Sequence, residues 1–286
     1  MGKNNITIYT QNLKNHFKLM KGIPNIYDGK TVDSCLNLSR YLADKDIDFT
    51  SLQEMTCDRN HYLQTKFTDV MYYADWIGKQ EPFFNLVTGK PRLPKVFLYT
   101  HFGKLCGEYN PIVMGERFKL IDSKTYTLPW FHDVLHQTRD LAIMPRIAHA
   151  ILVKNTETEE FITIINTHID YNSKKVQELQ LNALTSLIEQ LQTEAIIITG
   201  DFNMNPDHEI FSKYIEEWKR LGVERVSRGF IEEPTWINKK DSSITGNYDH
   251  IFTRGIDVQN VELIDMCAEF DTDHKGILVS GKIKRR

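Results

Sequence analysis

Asp201 and Asn203, an acid and an amide one residue apart, follow the run Ala195-Ile196-Ile197-Ile198-Thr199-Gly200. A carboxylate can take a proton from water or bind a cation, and a carboxamide can hydrogen-bond an anionic oxygen. The same two residues can instead form an ordinary Asp-x-Asn turn in which each satisfies only nearby backbone. The apolar, β-branched run before them has the length of a core strand, and Gly200 ends it in a tight turn. Both polar side chains are therefore expected just past the carboxyl end of a buried strand.

Other polar groups stand at or near the ends of apolar runs. Asn12 follows ITIYTQ, Glu54 follows FTSLQ, His168 follows FITIINT, and Asp273-His274 comes near the carboxyl terminus. Taken in order, the motifs are QN (Gln11-Asn12), LQE (Leu52 to Glu54), NTHID (Asn166 to Asp170), GDFN (Gly200 to Asn203), YDHIF (Tyr248 to Phe252) and TDH (Thr272 to His274). This set resembles the endonuclease/exonuclease/phosphatase superfamily of metal-dependent phosphoesterases, and it spans nearly the whole chain. The resemblance implies one domain over residues 1–286. Its fold would be a four-layer α/β/β/α sandwich of two packed mixed β-sheets flanked by helices, with the site at one edge where strand ends converge.

The resemblance also implies roles. Asn12, Glu54 and Asp273 would hold the metal, an oxygen-only set that suits hard Mg²⁺ or Mn²⁺ and not zinc. Asp201 would orient or deprotonate the attacking water, and Asn203 would contact the phosphate. His274, held by Asp249, would donate to a phosphate oxygen, and a carboxylate partner favours the cationic ring. His168 would do likewise, oriented by Glu108. Arg146, in Pro145-Arg146-Ile147-Ala148, would reach a substrate phosphate through its guanidinium fork. Read without the resemblance, Asn12 could close a turn and Glu108 could be a plain edge-strand charge.

Alternation at Ile6, Ile8 and Thr10 predicts a first strand that delivers Asn12. Apolar residues at helical spacing over Val32 to Ile47 predict a helix, and Asp48 to Leu52 a second, parallel strand carrying Glu54. A helix over Asp58 to Phe67 and a strand over Val70 to Ile77 follow. In Leu105 to Pro129 a glutamate is expected to open one strand, with a second running antiparallel to it. Trp130 to Asp140 reads as a loop over the site; His132 and His136 lie i,i+4 apart but lack a third ligand nearby. Ser173 to Gln192 carries one apolar stripe and predicts a helix, as does Asp207 to Leu221. Gly222 to Trp236 reads as a variable loop whose tryptophan covers the core. Strands are expected at Tyr248 to Phe252, Val261 to Ile264 and Gly276 to Ile283.

With 41% hydrophobic and 26% charged residues the composition is that of a folded globular chain, which excludes wholesale disorder. No segment approaches the ~18 apolar residues of a membrane span. The amino terminus lacks a secretory pattern, so a cytoplasmic location is expected. Cys35, Cys57, Cys106 and Cys267 show no CxxC spacing, which fits reduced thiols. A net charge of −3 and a pI near 6.4 argue against a grip on long nucleic acid, which needs a basic field. The expected substrate is a small or single-stranded phosphate ester; no protein partner is indicated. Two further readings stand: a DNA or RNA nuclease of the same superfamily, and an inactive scaffold on its fold.

Overall fold

The computed structural model describes residues 4–14, 37–38, 40–42, 44–54, 110–129, 146–226 and 233–284, together with the backbone of 19–20, 23–24 and 71–73. Numbered along the chain, the strands begin with β1 (Asn5–Asn12), β2 (Leu19–Met20), β3 (Ile23–Pro24), β4 (Phe49–Gln53), β5 (Met71–Tyr73) and β6 (Ile112–Met114). They continue with β7 (Phe118–Thr127), β8 (Ile147–Asn155), β9 (Phe161–His168), β10 (Ala195–Asp201) and β11 (Glu224–Arg225). The last are β12 (Trp236–Ile237), β13 (Thr245–Gly246), β14 (Asp249–Arg254), β15 (Ile256–Ile264) and β16 (Gly276–Ile283). One mixed sheet runs β15-β16-β1-β4-β6-β5 and the other β11-β14-β10-β9-β8-β7, while β2–β3 and β12–β13 are separate short ladders. Helices α1 (Lys174–Gln190) and α2 (Glu209–Arg220) connect strands of the second sheet. The described residues of 37–44 are also helical.

Each strand feeds two layers because its side chains alternate. In β10, Ala195 and Ile197 enter the core between the sheets, while Ile196 and Ile198 enter the core under α1 and α2. This double burial explains why β10 reads as an unbroken apolar run. In β1, Ile6 and Ile8 meet the second sheet, and Tyr9 faces outward to pack with Leu38 and Leu42 from the 37–44 segment. Three apolar clusters thus separate four layers, an α/β/β/α sandwich.

The helices follow their sequence signals. Ser173 caps α1 by accepting from Val176 N, and its buried face includes Val176, Leu181, Leu184 and Ile188. In α2, Phe211, Tyr214 and Trp218 are buried, and Trp218 Nε1 donates to Thr185 Oγ1 of α1 at 2.7 Å. No helix of the described residues is long and apolar enough to cross a membrane.

One topological expectation fails. β6 and the strand after it do not pair with each other: β6 lies between β4 and β5 in the first sheet, whereas β7 pairs with β8 at the edge of the second. The intervening turn crosses the sandwich. Gly115 N donates to Asp48 O, and Arg117 clamps the Asp48 carboxylate, so the turn is tied to the start of β4. The loop expected over Gly222 to Trp236 contains β11 and reaches β12, and Trp236 lies half-buried against Tyr248, with ring centroids 5.4 Å apart, instead of in the core. Glu108, the Asp58 to Phe67 helix, the Trp130 to Asp140 loop with His132 and His136, and Cys35, Cys57 and Cys106 lie outside the described residues.

Behind β10 a buried histidine makes stability depend on pH. His250 packs against Phe202, Phe211 and Phe252, with Nε2 donating to Met204 O and Nδ1 accepting from Arg225 Nε. These partners define a neutral ring. Burial, then the charge of Arg225, lower its pKa to about 3. An unfolded histidine binds a proton near pH 6.5 that this one refuses, so its contribution is complete above that pH and is lost as pH falls toward 3. Urea unfolding at pH 7 and pH 5 should show the native protein losing stability, about 2 kcal/mol over that interval from this group. His250→Phe should flatten that slope; an equally steep loss in the variant would assign it elsewhere.

Candidate active site

Strand alternation sets the site. Ile164, Asn166 and His168 of β9 share the inward face, as do Ile197, Thr199 and Asp201 of β10. In register, Asp201 lies opposite His168 on one side and Asp249 on the other. The same rule carries Asn12 inward on β1, in line with Ile6 and Ile8. Above the apolar layer, the ends of the two sheets therefore present Asn12, His168, Asp201 and Asp249 to one another.

Gly200 lets β10 approach β9 closely: a Cβ there would stand 2.2 Å from Thr167 O. Immediately after it, Asp201 Oδ1 accepts from Asn203 N at 2.8 Å, so the Asp-x-Asn turn is formed. The turn and the site are one object. Asn203 takes a left-handed backbone, φ 52°, which asparagine tolerates well. Its Nδ2 donates to Ile169 O and lies 3.1 Å from His168 Nε2. Glu54, just past β4, is also left-handed at φ 56°, and its side chain is 22% exposed, the most accessible carboxylate of the group that faces His168.

Asn12 is placed differently from an oxygen ligand. Its Nδ2 donates to Glu54 Oε1 at 3.0 Å and to Asp201 Oδ2 at 2.8 Å, while its Oδ1 accepts from Lys14 N. The amide thus bridges two carboxylates. Asp273 joins neither of the two clusters of potential metal ligands, Glu54/His168/Asp201 and Asp201/Asp249/His274; its carboxylate pairs with Lys14 Nζ.

The two histidines differ in charge. His274 Nδ1 hydrogen-bonds Asp249 Oδ2 at 2.8 Å, and its Nε2 lies 3.8 Å from Asp201 Oδ2. Burial opposes a charge on this ring, but Asp249, then Asp201 and Glu54, raise its pKa to about 10. His274 is a cation at neutral pH. At His168, Nδ1 lies 2.8 Å from Arg146 Nη1, and Nε2 is 3.8 Å from Asp201 Oδ2 and 3.9 Å from Glu54 Oε1. Burial, then the charges of Arg146 and His274, hold its pKa well below the ordinary value. A guanidinium only donates, so Nδ1 accepts, and the Asn203 amide nitrogen, also a donor, stands against Nε2. The expectation that His168 matches His274 as a cation is therefore not met, and buried Arg146 is placed on this ring. Burial, then the charge of Asp249, raise Asp201 to about 7, against His274, Asn12 and the Asn203 N–H.

Gln53 and Asn166 attracted no role in the sequence, yet they join the sheets beneath the site. Gln53 Nε2 donates to Asn166 Oδ1 at 2.7 Å and to Thr10 Oγ1 at 3.1 Å; Asn166 Nδ2 donates to Leu52 O and Pro111 O. Both residues occupy inward positions one step below site residues, a signal that alternation alone supplies. Asn166→Leu should destabilise the fold by about 3 kcal/mol, because it strands buried carbonyls and the Gln53 amide. Denaturant unfolding tests this; a loss below ~1 kcal/mol would demote the tie. Asp170, by contrast, is structural: its Oδ1 accepts from Asn172 N and Ser173 N at the start of α1.

This sandwich, with strand ends of both sheets converging on a buried polar cluster, is the fold of the endonuclease/exonuclease/phosphatase proteins that the motifs resemble. Three solved structures illustrate the match. An endonuclease/exonuclease/phosphatase protein from Bacteroides vulgatus superposes with TM-score 0.71 at 16% identity, over 98% of this chain and 99% of that one. A mannosyl-6-phosphatase from Bacteroides thetaiotaomicron gives 0.66 at 17% identity, over 96% and 98%. D. rerio TDP2, solved with a single-strand DNA product, gives 0.66 at 17%, over 97% and 99%. No family model matches the sequence, and no curated protein matches it.

Proposed function

We propose that the protein is a divalent-metal-dependent hydrolase of phosphate esters, using Mg²⁺ or Mn²⁺ and acting on a small or single-stranded phosphorylated substrate. The observation that carries this reading is Asp201 set 3.8 Å from two histidines, one cationic and one neutral, with Glu54 3.9 Å from the neutral one. Donor chemistry fits a hard cation. Glu54 and Asp201 each offer a carboxylate oxygen, within 4.8 Å of each other. Asp249 Oδ1 is buried with no hydrogen-bond partner among the described residues. Glu54, beside the Asn12 amide, would hold the ion. When bound, a divalent ion neutralises charge on the phosphoryl and leaving oxygens.

The protein's own groups supply the rest. Asp201 orients the attacking water and takes its proton; a carboxylate raised toward neutrality is a better base than an ordinary one. His274 donates from Nε2 to a phosphoryl oxygen, while Asp249 fixes its tautomer and keeps it charged. His168 presents the Nε2 edge of a neutral ring to the same space, and Arg146 holds that orientation. Among the similar structures, one acts on a sugar phosphate by its name and one carries a DNA product. Both are phosphate esters, which supports the class and leaves the choice to experiment.

The test is a Mn²⁺-dependent panel of bis(p-nitrophenyl) phosphate, p-nitrophenyl phosphate, and single- and double-stranded oligonucleotides. Turnover of small esters that vanishes without metal, with oligonucleotides untouched, is the expected result. Oligonucleotide cleavage would make the protein a nuclease. Silence on all four, with no Mn²⁺ bound in calorimetry, would sink the enzyme reading in favour of a scaffold.

A further inference from the structure

Lys14 stands two residues after Asn12 and next to the last site loop. Its backbone is left-handed at φ 51°, and its N–H donates to Asn12 Oδ1 at 2.8 Å, so the turn that carries it is tied to the site itself. From there Lys14 Nζ reaches the Asp273 carboxylate, which is 11% exposed. The loop bearing Asp273 is held independently: Thr272 Oγ1 donates to Asn12 O at 2.8 Å, and Ile237 N donates to Asp273 O at 3.0 Å. Two pinned backbones thus bring an ammonium and a carboxylate together at the rim of a cluster rich in negative charge. A carboxylate engaged by an ammonium offers its charge and lone pairs there first.

We propose that Lys14 is a built-in counter-cation that keeps Asp273 out of the divalent-ion site. The inference rests on the metal reading above and deepens it, since it assigns the ion to the Glu54 side of the cluster. Lys14 restrains affinity in this scheme: it leaves the ion with fewer protein ligands and loosens its hold. Removing the ammonium frees Asp273 to become a ligand.

The experiment is a double-mutant cycle read by Mn²⁺ calorimetry and by the electron paramagnetic resonance of bound Mn²⁺. Lys14→Gln should tighten Mn²⁺ binding about tenfold, the scale on which groups around metal ligands act. Asp273→Asn in the native background should change affinity little. In Lys14→Gln it should cancel the gain, and only Lys14→Gln should show an altered Mn²⁺ spectrum. An equal gain from Lys14→Gln in both backgrounds would reduce Lys14 to a nearby charge and overturn the proposal. So would a large loss of affinity in Asp273→Asn alone, which would make Asp273 a direct ligand of the native site. Failure to bind Mn²⁺ in the native protein and every variant would instead overturn the metal reading on which the proposal stands.

Discussion

Asp201→Asn is expected to lower phosphate-ester turnover by about 10³-fold or more while leaving the protein folded. The amide has the size and shape of the carboxylate, and its oxygen can still accept from Asn203 N, so the turn after β10 survives. What it cannot do is take a proton from water. It also removes a buried charge that burial and Asp249 already make costly, since they raise the Asp201 pKa to about 7. The Oδ2 side gives up the hydrogen bond from Asn12 Nδ2, a cost of about 1 kcal/mol that the removed charge offsets, so the variant should stay folded near neutral pH. Steady-state kinetics and thermal unfolding, run together, separate chemistry from folding. An Asp201→Asn protein that binds Mn²⁺ and retains turnover would refute the assigned base.

His274→Ala carries the second large effect, a loss of about 10² to 10³-fold, the scale of removing one donor to a developing anion. Its companion, Asp249→Asn, tests how the charge is maintained. Burial alone would deprotonate His274, and Asp249 overcomes it through charge and hydrogen bond. With an amide there, the ring should lose its proton at lower pH. The pH–rate profile of the native protein should stay flat on its basic side until His274 deprotonates, at a pH far above 6.5. In Asp249→Asn that descending limb should move toward neutrality, and in His274→Ala it should disappear. A basic limb that stays in place in Asp249→Asn would detach Asp249 from this role.

Much of this arrangement was legible because strand alternation is strict. Alternate inward apolar residues of β1, β9 and β10 (Ile6 and Ile8, Ile162 and Ile164, Ala195 and Ile197) mark the inward face, and extending the count by four residues from the second of each pair lands on Asn12, His168 and Asp201. The apolar stripe of α1 was readable for a similar reason: a period of 3.6 is visible locally. What was not legible depends on contacts between distant segments. Nothing local in Ile112 to Thr127 says that its two strands belong to different sheets; the decision is made by Arg117 and Gly115 meeting Asp48. Asn12 as a donor to two carboxylates, Arg146 on His168, and the Lys14–Asp273 pair have the same origin. The divergent charge states of the two histidines follow from neighbours that sequence cannot place, a carboxylate for one and a guanidinium for the other.

The hydrogen bond from Thr272 to the Asn12 carbonyl closes the site across an interval of 260 residues. Asn12 is therefore translated long before His274. Until His274 emerges, the growing chain holds Asn12, Glu54, His168, Asp201 and Asp249 without their last partner. The cluster is completed when β16 takes its place beside β1 and brings the loop before it into register.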